Sequence, residues 1–178
     1  MNRNKFILLF LLFFSVNIFA QFQNHKHTVG PSVGFSFLGS TVQLGINHEY
    51  GIPLTDKGNL GIGGIFRYWS YSEEFPAVKW SYSNVLIGFQ TNYHFFLNTA
   101  NLDPWAGVIL AYDFRSANRE IILHNVNFNN ADDGGFWIGA QAGARYWINK
   151  QIALNVRIGF GTLSYSALDI GFDYTLGE

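Results

Sequence analysis

Cysteine is absent from this 178-residue chain, and charged residues make up only 13% of it. Without cysteine there are no disulfides, no lipid-modified cysteine anchor and no thiolate metal site. The formal net charge is −1 and no basic cluster occurs, which argues against a nucleic-acid partner. After the first 20 residues no apolar run reaches the roughly 18 residues that a transmembrane helix needs.

The N-terminus has the three-part layout of a secretory signal peptide. A short basic segment, residues 2–5, precedes an apolar run over residues 6–14 that is too short to span a bilayer. The segment that follows ends in Ala20, where we expect cleavage. Residues 1–20 are therefore predicted to be removed, and residues 21–178 to form one exported domain. An uncleaved membrane anchor is the alternative.

Aromatic residues are abundant, at 18% of the chain, as is glycine with 19 residues. Apolar and polar residues alternate in eight segments of about ten residues, which is the period of a β-strand. Short connections alternate with longer ones at residues 70–83 and 115–135. This pattern predicts an all-β fold, an eight-stranded antiparallel up-and-down transmembrane β-barrel. The first strand is expected to begin after Pro31, which has no N–H for the ladder.

Three observations predict that the apolar face points outward to lipid, whereas a soluble barrel would bury it. The apolar faces carry no charged residue, the polar faces carry no lysine, and the strand glycines lie on the polar face except for Gly64. Small residues suit the crowded interior of a narrow barrel. Aromatic residues near both strand ends, Trp105 among them, are typical of two interfacial girdles.

The polar faces bring acids and arginines into the lumen in nearly equal numbers. Because an unpaired buried charge is costly, we expect these groups to form a salt-bridged plug, with a proton or solute path as the alternative. The predicted lumen charge network comprises Glu49, Arg67, Asp113, Arg115, Arg145, Arg157, Asp169 and Asp173.

The last segment also carries a motif. Asp169, Gly171, Tyr174 and Leu176 match the pattern polar, any, glycine, any, any, aromatic, any, hydrophobic, although two further residues follow it. This pattern resembles the C-terminal assembly signal of bacterial outer-membrane barrels. Taken with the eight segments and the signal peptide, the whole mature chain resembles the small barrels of the OmpA transmembrane-domain and OmpW type. The resemblance implies the outer membrane of a Gram-negative bacterium, with outer-membrane lipids and the barrel-assembly machinery as partners.

The sequence contains no convincing nucleophile–base motif. His48 and His124 lack a suitable neighbour, and His25 and His27, which can bind a metal weakly, are assigned to an N-terminal tail. We therefore expect no catalytic residue, no cofactor and no metal site.

The two long connections are better candidates for function, because residues 71–82 and 119–130 are unusually apolar for solvated loops. They are expected either to contact a protein partner or to pack over the barrel mouth, and an alternative for residues 119–130 is that they extend the fifth and sixth strands above the membrane. The predicted contact residues are Phe75, Trp80, Ile121, Ile122 and Phe128.

These features together predict a non-enzymatic outer-membrane protein with a structural or surface-interaction role, including that of an accessory subunit of an envelope complex. A narrow channel or transporter for small hydrophobic molecules is the alternative that the resemblance to OmpW implies. A lipid-modifying outer-membrane enzyme is a third.

Overall fold

The computed structural model describes residues 22–97, 101–121 and 134–177. In these residues eight antiparallel strands close into a barrel in chain order, so the predicted fold class is confirmed. The strands are β1 His27–Ser36, β2 Thr41–Thr55, β3 Gly58–Phe75, β4 Val78–Phe95, β5 Leu102–Ile121, β6 Gly134–Trp147, β7 Ile152–Gly161 and β8 Ser166–Leu176. No helix long and apolar enough to cross a membrane occurs in the described part of the chain.

Alternation of side chains gives the wall two different faces. In β8, Leu168, Ile170 and Phe172 are 43%, 57% and 57% exposed, whereas Asp169 and Asp173 are each 2% exposed. Strand residues point alternately to opposite faces, so the apolar set covers the outside and the polar set fills the lumen. The predicted outward apolar face is therefore confirmed, and it suits a wall surrounded by lipid.

Strand β1 begins earlier than predicted. It starts at His27 and includes Pro31, which lies opposite Ile46 of β2. On its other side, the register with β8 passes from Val29 to Ser32 and leaves out the two residues between them. Because proline has no N–H to donate, the ladder is interrupted there without ending the strand.

The wall is much higher on one side of the barrel than on the other. Strands β3, β4 and β5 have 18, 18 and 20 residues, whereas β1 and β7 have 10 each. The prediction of a long loop at residues 70–83 is wrong, since only Pro76 and Ala77 separate β3 from β4. The prediction of a loop at residues 115–135 is wrong for residues 115–121, which belong to β5. Pairing continues to the tip, where Val78 lies between Phe75 and Ile121. We call residues 70–83 and 115–121 the extension.

The polarity of the wall inverts at the base of the extension. A row of three serines that pair across the strands interrupts the apolar outer face. The row consists of Ser70, Ser83 and Ser116. Directly below it on the outer face lie Tyr68, Val85 and Phe114, and the next row above it is Ser72, Ser81 and Asn118. Aromatic residues continue on the inner face instead, as Tyr71, Trp80 and Tyr82. Because water requires the polar face and lipid the apolar one, the serine row marks the bilayer boundary on this side.

Arginine substitutions on the outer face of β4 test this boundary. Phe89 is 76% exposed and lies near the middle of the membrane-spanning part, so Phe89→Arg should cost about 2–4 kcal/mol. Ser83→Arg, on the same strand and face but at the boundary itself, should cost no more than about 1 kcal/mol. Urea unfolding in lipid vesicles, followed by tryptophan fluorescence, measures both. Equal losses would place the boundary elsewhere.

Candidate functional site

Inward-facing side chains fill the lumen in successive layers. The end of the barrel that carries the β2–β3 and β6–β7 turns is called the turn end here, and the opposite end, from which the extension rises, the loop end. Between these two ends lie two ionic layers, one apolar layer and a final ion pair.

The turn end is closed by the residues that precede β1. Phe22 is 2% exposed, and its ring stacks on that of His94 with centroids 3.8 Å apart. Asn59 Nδ2 donates to the Phe22 carbonyl at 3.1 Å, and the backbone N–H of His25 donates to the Gly51 carbonyl at 2.8 Å. The prediction that His25 and His27 belong to an N-terminal tail is therefore wrong, because His25 is bound to the barrel mouth and His27 is the first residue of β1.

The first ionic layer is organised by Arg145. Its Nη2 lies 3.0 Å from Glu49 Oε2, its Nε contacts the Asp173 carboxylate, and its Nη1 lies 3.9 Å from Asp103. His94 joins two of these acids, with Nε2 at 3.1 Å from Glu49 and Nδ1 at 3.0 Å from Asp103. All five side chains are at most 3% exposed. Both ring nitrogens of His94 face carboxylate oxygens, an arrangement in which a doubly protonated imidazole donates to both.

The second ionic layer is organised by a carboxylate. Asp169 contacts Arg157 Nη2 and accepts a hydrogen bond from Gln43 Nε2, and its Oδ2 lies 3.4 Å from Arg67 Nε. Arg157 Nη1 also donates to Gln141 Oε1 at 3.2 Å. One acid therefore neutralises parts of two arginines, and neutral amides satisfy much of the remaining hydrogen-bonding capacity.

Amide side chains connect the two ionic layers. Gln141 Nε2 donates to Gln90 Oε1 at 2.9 Å and to Asn92 Oδ1 at 2.7 Å. Gln90 Nε2 then donates to Glu49 Oε1 at 3.3 Å. Hydrogen bonds and ion pairs thus run without interruption from the turn end to the middle of the lumen.

An apolar layer lies above the second ionic layer. The Tyr165 ring stacks on Trp69 at 4.5 Å between centroids and meets Trp137 edge-on at 5.5 Å. The layer consists of Ile65, Trp69, Leu86, Ile109, Ala111, Trp137, Tyr165 and Ala167. A cavity of only about 10 Å³ lies between this layer and the arginines below, near the lower limit for holding one water molecule. The described side chains of this region therefore pack closely across the lumen.

The loop end carries the last ion pair. Arg115 Nη2 lies 3.1 Å from Asp113 Oδ2, and Arg115 Nε donates to Asn84 Oδ1 at 2.8 Å. Leu38 and Tyr71 pack against the apolar layer from above. Burial raises the pKa of the Tyr71 phenol, which therefore remains neutral at physiological pH.

The structure brings all eight predicted lumen charges to the inward face and gives each one an oppositely charged partner. Sequence reasoning missed two further members, His94 and Asp103. His94 lies near the end of β4 and Asp103 near the start of β5. The even spacing between Asp103 and Asp113 on β5 would have placed both aspartates on one face.

The prediction that Trp105 belongs to an outward girdle is wrong. Its side chain is 3% exposed and lies in the lumen, 5.8 Å from the Arg145 guanidinium. Trp105 shares the parity of Asp103 and Asp113 in β5, so strand alternation directs it inward despite its position near a strand end.

The predicted surface contacts lie on the inner face of the extension where they are described. Phe75 and Ile121 are 50% and 44% exposed, and Trp80 is half-buried. Ile122 and Phe128 lie outside the described residues.

The four residues of the predicted assembly motif divide between the two faces of β8. Asp169 and Gly171 are buried in the lumen, whereas Tyr174 and Leu176 are 45% and 47% exposed on the outer wall. Tyr174 pairs with Val29 and Leu176 with the first residue of β1. The motif thus lies on the strand that closes the barrel.

Neither a protein-family model nor a curated protein matches the sequence. Among solved structures, the chain is similar to the outer membrane protein OprG from Pseudomonas aeruginosa, with 12% identity, a TM-score of 0.62, and 90% of this chain and 100% of OprG covered. The N-terminal β-barrel domain of Pseudomonas aeruginosa OprF matches with 14% identity, a TM-score of 0.52 and coverage of 86% and 98%. A de novo designed transmembrane β-barrel matches with 17% identity, a TM-score of 0.50 and coverage of 86% and 98%.

These likenesses show that the chain has the fold of small outer-membrane β-barrels. OprG is an outer membrane protein, which agrees with the predicted location. Because a designed barrel matches as well, the shared fold does not identify a function. Function has to be argued from the lumen and the extension.

Because two arginines share Asp169, removal of this carboxylate should destabilise the barrel more than removal of one of the arginines. Asp169→Ala leaves Arg67 and Arg157 buried without their carboxylate and should cost about 3–5 kcal/mol. Arg157→Ala should cost less, because Asp169 keeps its contacts with Arg67 and Gln43. The stability lost in the double variant should be smaller than the sum of the losses in the two single variants. Urea unfolding of the three variants measures the order, and a larger loss for Arg157→Ala would contradict the shared carboxylate.

The assembly motif is tested on the outer face of β8. Tyr174→Ala combined with Leu176→Ala should reduce the yield of heat-modifiable barrel in the outer membrane and leave protease-sensitive chain in the periplasm. The matched control is Ile170→Ala with Phe172→Ala, on the same strand and face but outside the motif. If both double variants assemble equally well, the motif is not an assembly signal.

Proposed function

We propose that this protein is a non-enzymatic outer-membrane barrel with a closed lumen, which presents its extension as an interaction surface and serves as a structural or accessory subunit of the envelope. The observation that carries this proposal is the filled lumen. Two linked ionic layers and an apolar layer occupy it, and the cavity between the apolar layer and the second ionic layer measures only about 10 Å³. A barrel filled in this way is a rigid anchor, so the parts outside the bilayer are left to make contacts.

The extension has the features of such a contact surface. Its outer face is polar, and across the strands Ser72 pairs with Ser81 and Glu74 with Lys79. Within the described residues no strand pairs with the β3 edge beyond Trp69, where the pairing of β2 with β3 ends. Unpaired backbone groups along a strand edge can accept an extended segment of another protein.

The histidines support a non-enzymatic role. Nucleophilic hydrolysis of lipids requires a serine or similar group activated by a base within hydrogen-bond reach. His94 is held between two carboxylates, and His48 faces His27. None of the described histidines has a hydrogen bond to a serine or threonine hydroxyl.

A second candidate function, transport of small hydrophobic molecules, is favoured by one feature of the wall. An apolar groove of about 540 Å³ surrounds Gly64, the glycine on the outer face, between Phe66 and Phe89. A leucine at this position would fill the groove from its floor. If Gly64→Leu abolishes uptake of a hydrophobic dye into proteoliposomes, transport gains support, whereas equal uptake by wild type and variant counts against it.

Site-specific photo-crosslinking tests the leading proposal. A benzophenone amino acid placed at Ser72 or Ser81 in cells should give discrete protein adducts, because both positions lie on the polar face of the extension. The same probe at Phe89, within the bilayer, should give none of these adducts. Absence of protein adducts at both extension positions, with normal barrel assembly, would contradict an interaction role.

A further inference from the structure

Two histidines from neighbouring strands meet on the outer wall at the turn end. His27 begins β1, and His48 lies in β2 opposite Val29, so the two are diagonal neighbours on one face. His27 Nδ1 and His48 Nε2 are 2.9 Å apart, and the ring centroids are 5.2 Å apart. His27 is exposed and His48 half-buried, so both rings are accessible from outside.

This separation is that of a hydrogen bond between the two rings, whose proton a metal ion can replace once the rings turn so that both nitrogen lone pairs face the ion. Imidazole nitrogens bind zinc, copper and nickel, with metal–nitrogen distances of about 2.0–2.1 Å. Two such bonds at a right angle place their nitrogens about 2.9 Å apart. We propose that His27 and His48 together bind a borderline divalent transition-metal ion, with Cu²⁺ bound more tightly than Ni²⁺ or Zn²⁺.

The barrel holds both ligands in place before the ion arrives. Each histidine lies in a paired strand of the closed sheet, so chelation requires only rotation of the side chains. Tyr50 lies beside them, with its ring centroid 4.9 Å from that of His27.

The site has two protein ligands. No set of three or more histidine, aspartate or glutamate side chains in the described ranges is placed to hold a metal ion. His25 lies outside the pair, with its Nδ1 3.4 Å from the Tyr50 hydroxyl. Cross-strand register, not the His-Lys-His sequence, therefore selects the ligands, and the other coordination positions are left to water or to an external donor.

Copper binding to the untagged mature barrel in detergent micelles tests the proposal. Titration with CuCl₂ near neutral pH, followed by electron paramagnetic resonance and calorimetry, should give one site with two nitrogen donors. His27→Asn and His48→Asn should each weaken copper binding by at least about tenfold, because loss of even an outer-shell partner of a metal site costs that much affinity. Each substitution should also remove the signal of one nitrogen donor from the electron paramagnetic resonance spectrum. His48→Gln, a second variant at the same position, guards against a folding defect, and heat-modifiable migration reports whether each barrel has folded.

Two control variants separate this site from others. His25→Asn and His124→Asn should leave affinity and donor number unchanged. Binding that survives in the folded His27→Asn/His48→Asn double variant would overturn the proposal. Binding that depends on His25 but not on His48 would also overturn it, because the site would then belong to the segment before β1. Neither result bears on the closed lumen.

Discussion

The narrowness of an eight-stranded ring constrains everything inside this protein. Such a barrel has an interior just wide enough for side chains, so long inward residues need small ones opposite. A Cβ on Gly34 would collide with the Asp169 carboxylate, and one on Gly45 would lie 2.6 Å from Arg67 Nη1. The inward glycines thus leave the room that the charged side chains occupy, which explains why glycine lies on the polar face of the strands.

The same narrowness determines the electrostatics. Charges that cannot reach water must be neutralised within the lumen, and a small cross-section forces several groups to share each partner. Arg145 meets three acids, and Asp169 meets two arginines. Amides such as Gln141 connect the two centres without adding charge. The wall outside can then be largely apolar, because most of the charged side chains of the strands lie in the lumen or above the bilayer.

Much of this architecture could be predicted from the sequence, because strand alternation is a strong signal. The number of strands, the outward apolar face and the eight inward charges all follow from a period of two. The predictions were wrong where the polarity of a residue and its position in the strand alternation point to different faces of the wall. Residues 71–82 keep the alternation, but their apolar side chains lie on the inner face and their polar side chains on the outer face, so these residues were predicted to form a loop. Trp105 was placed by its residue type instead of its parity in the strand.

Other features depend on register, which sequence alone does not give. The layers of the lumen arise because Arg157 pairs directly opposite Asp169 across β7 and β8. The His27–His48 contact and the seat of Phe22 on His94 likewise join residues that are far apart in sequence.

The closed lumen is tested most directly by the conductance of the wild-type protein in planar lipid bilayers, with a general porin as the positive control. A lumen filled by paired charges and an apolar layer predicts no steady unit conductance at any salt concentration. A stable conductance that rises in proportion to salt concentration would contradict it.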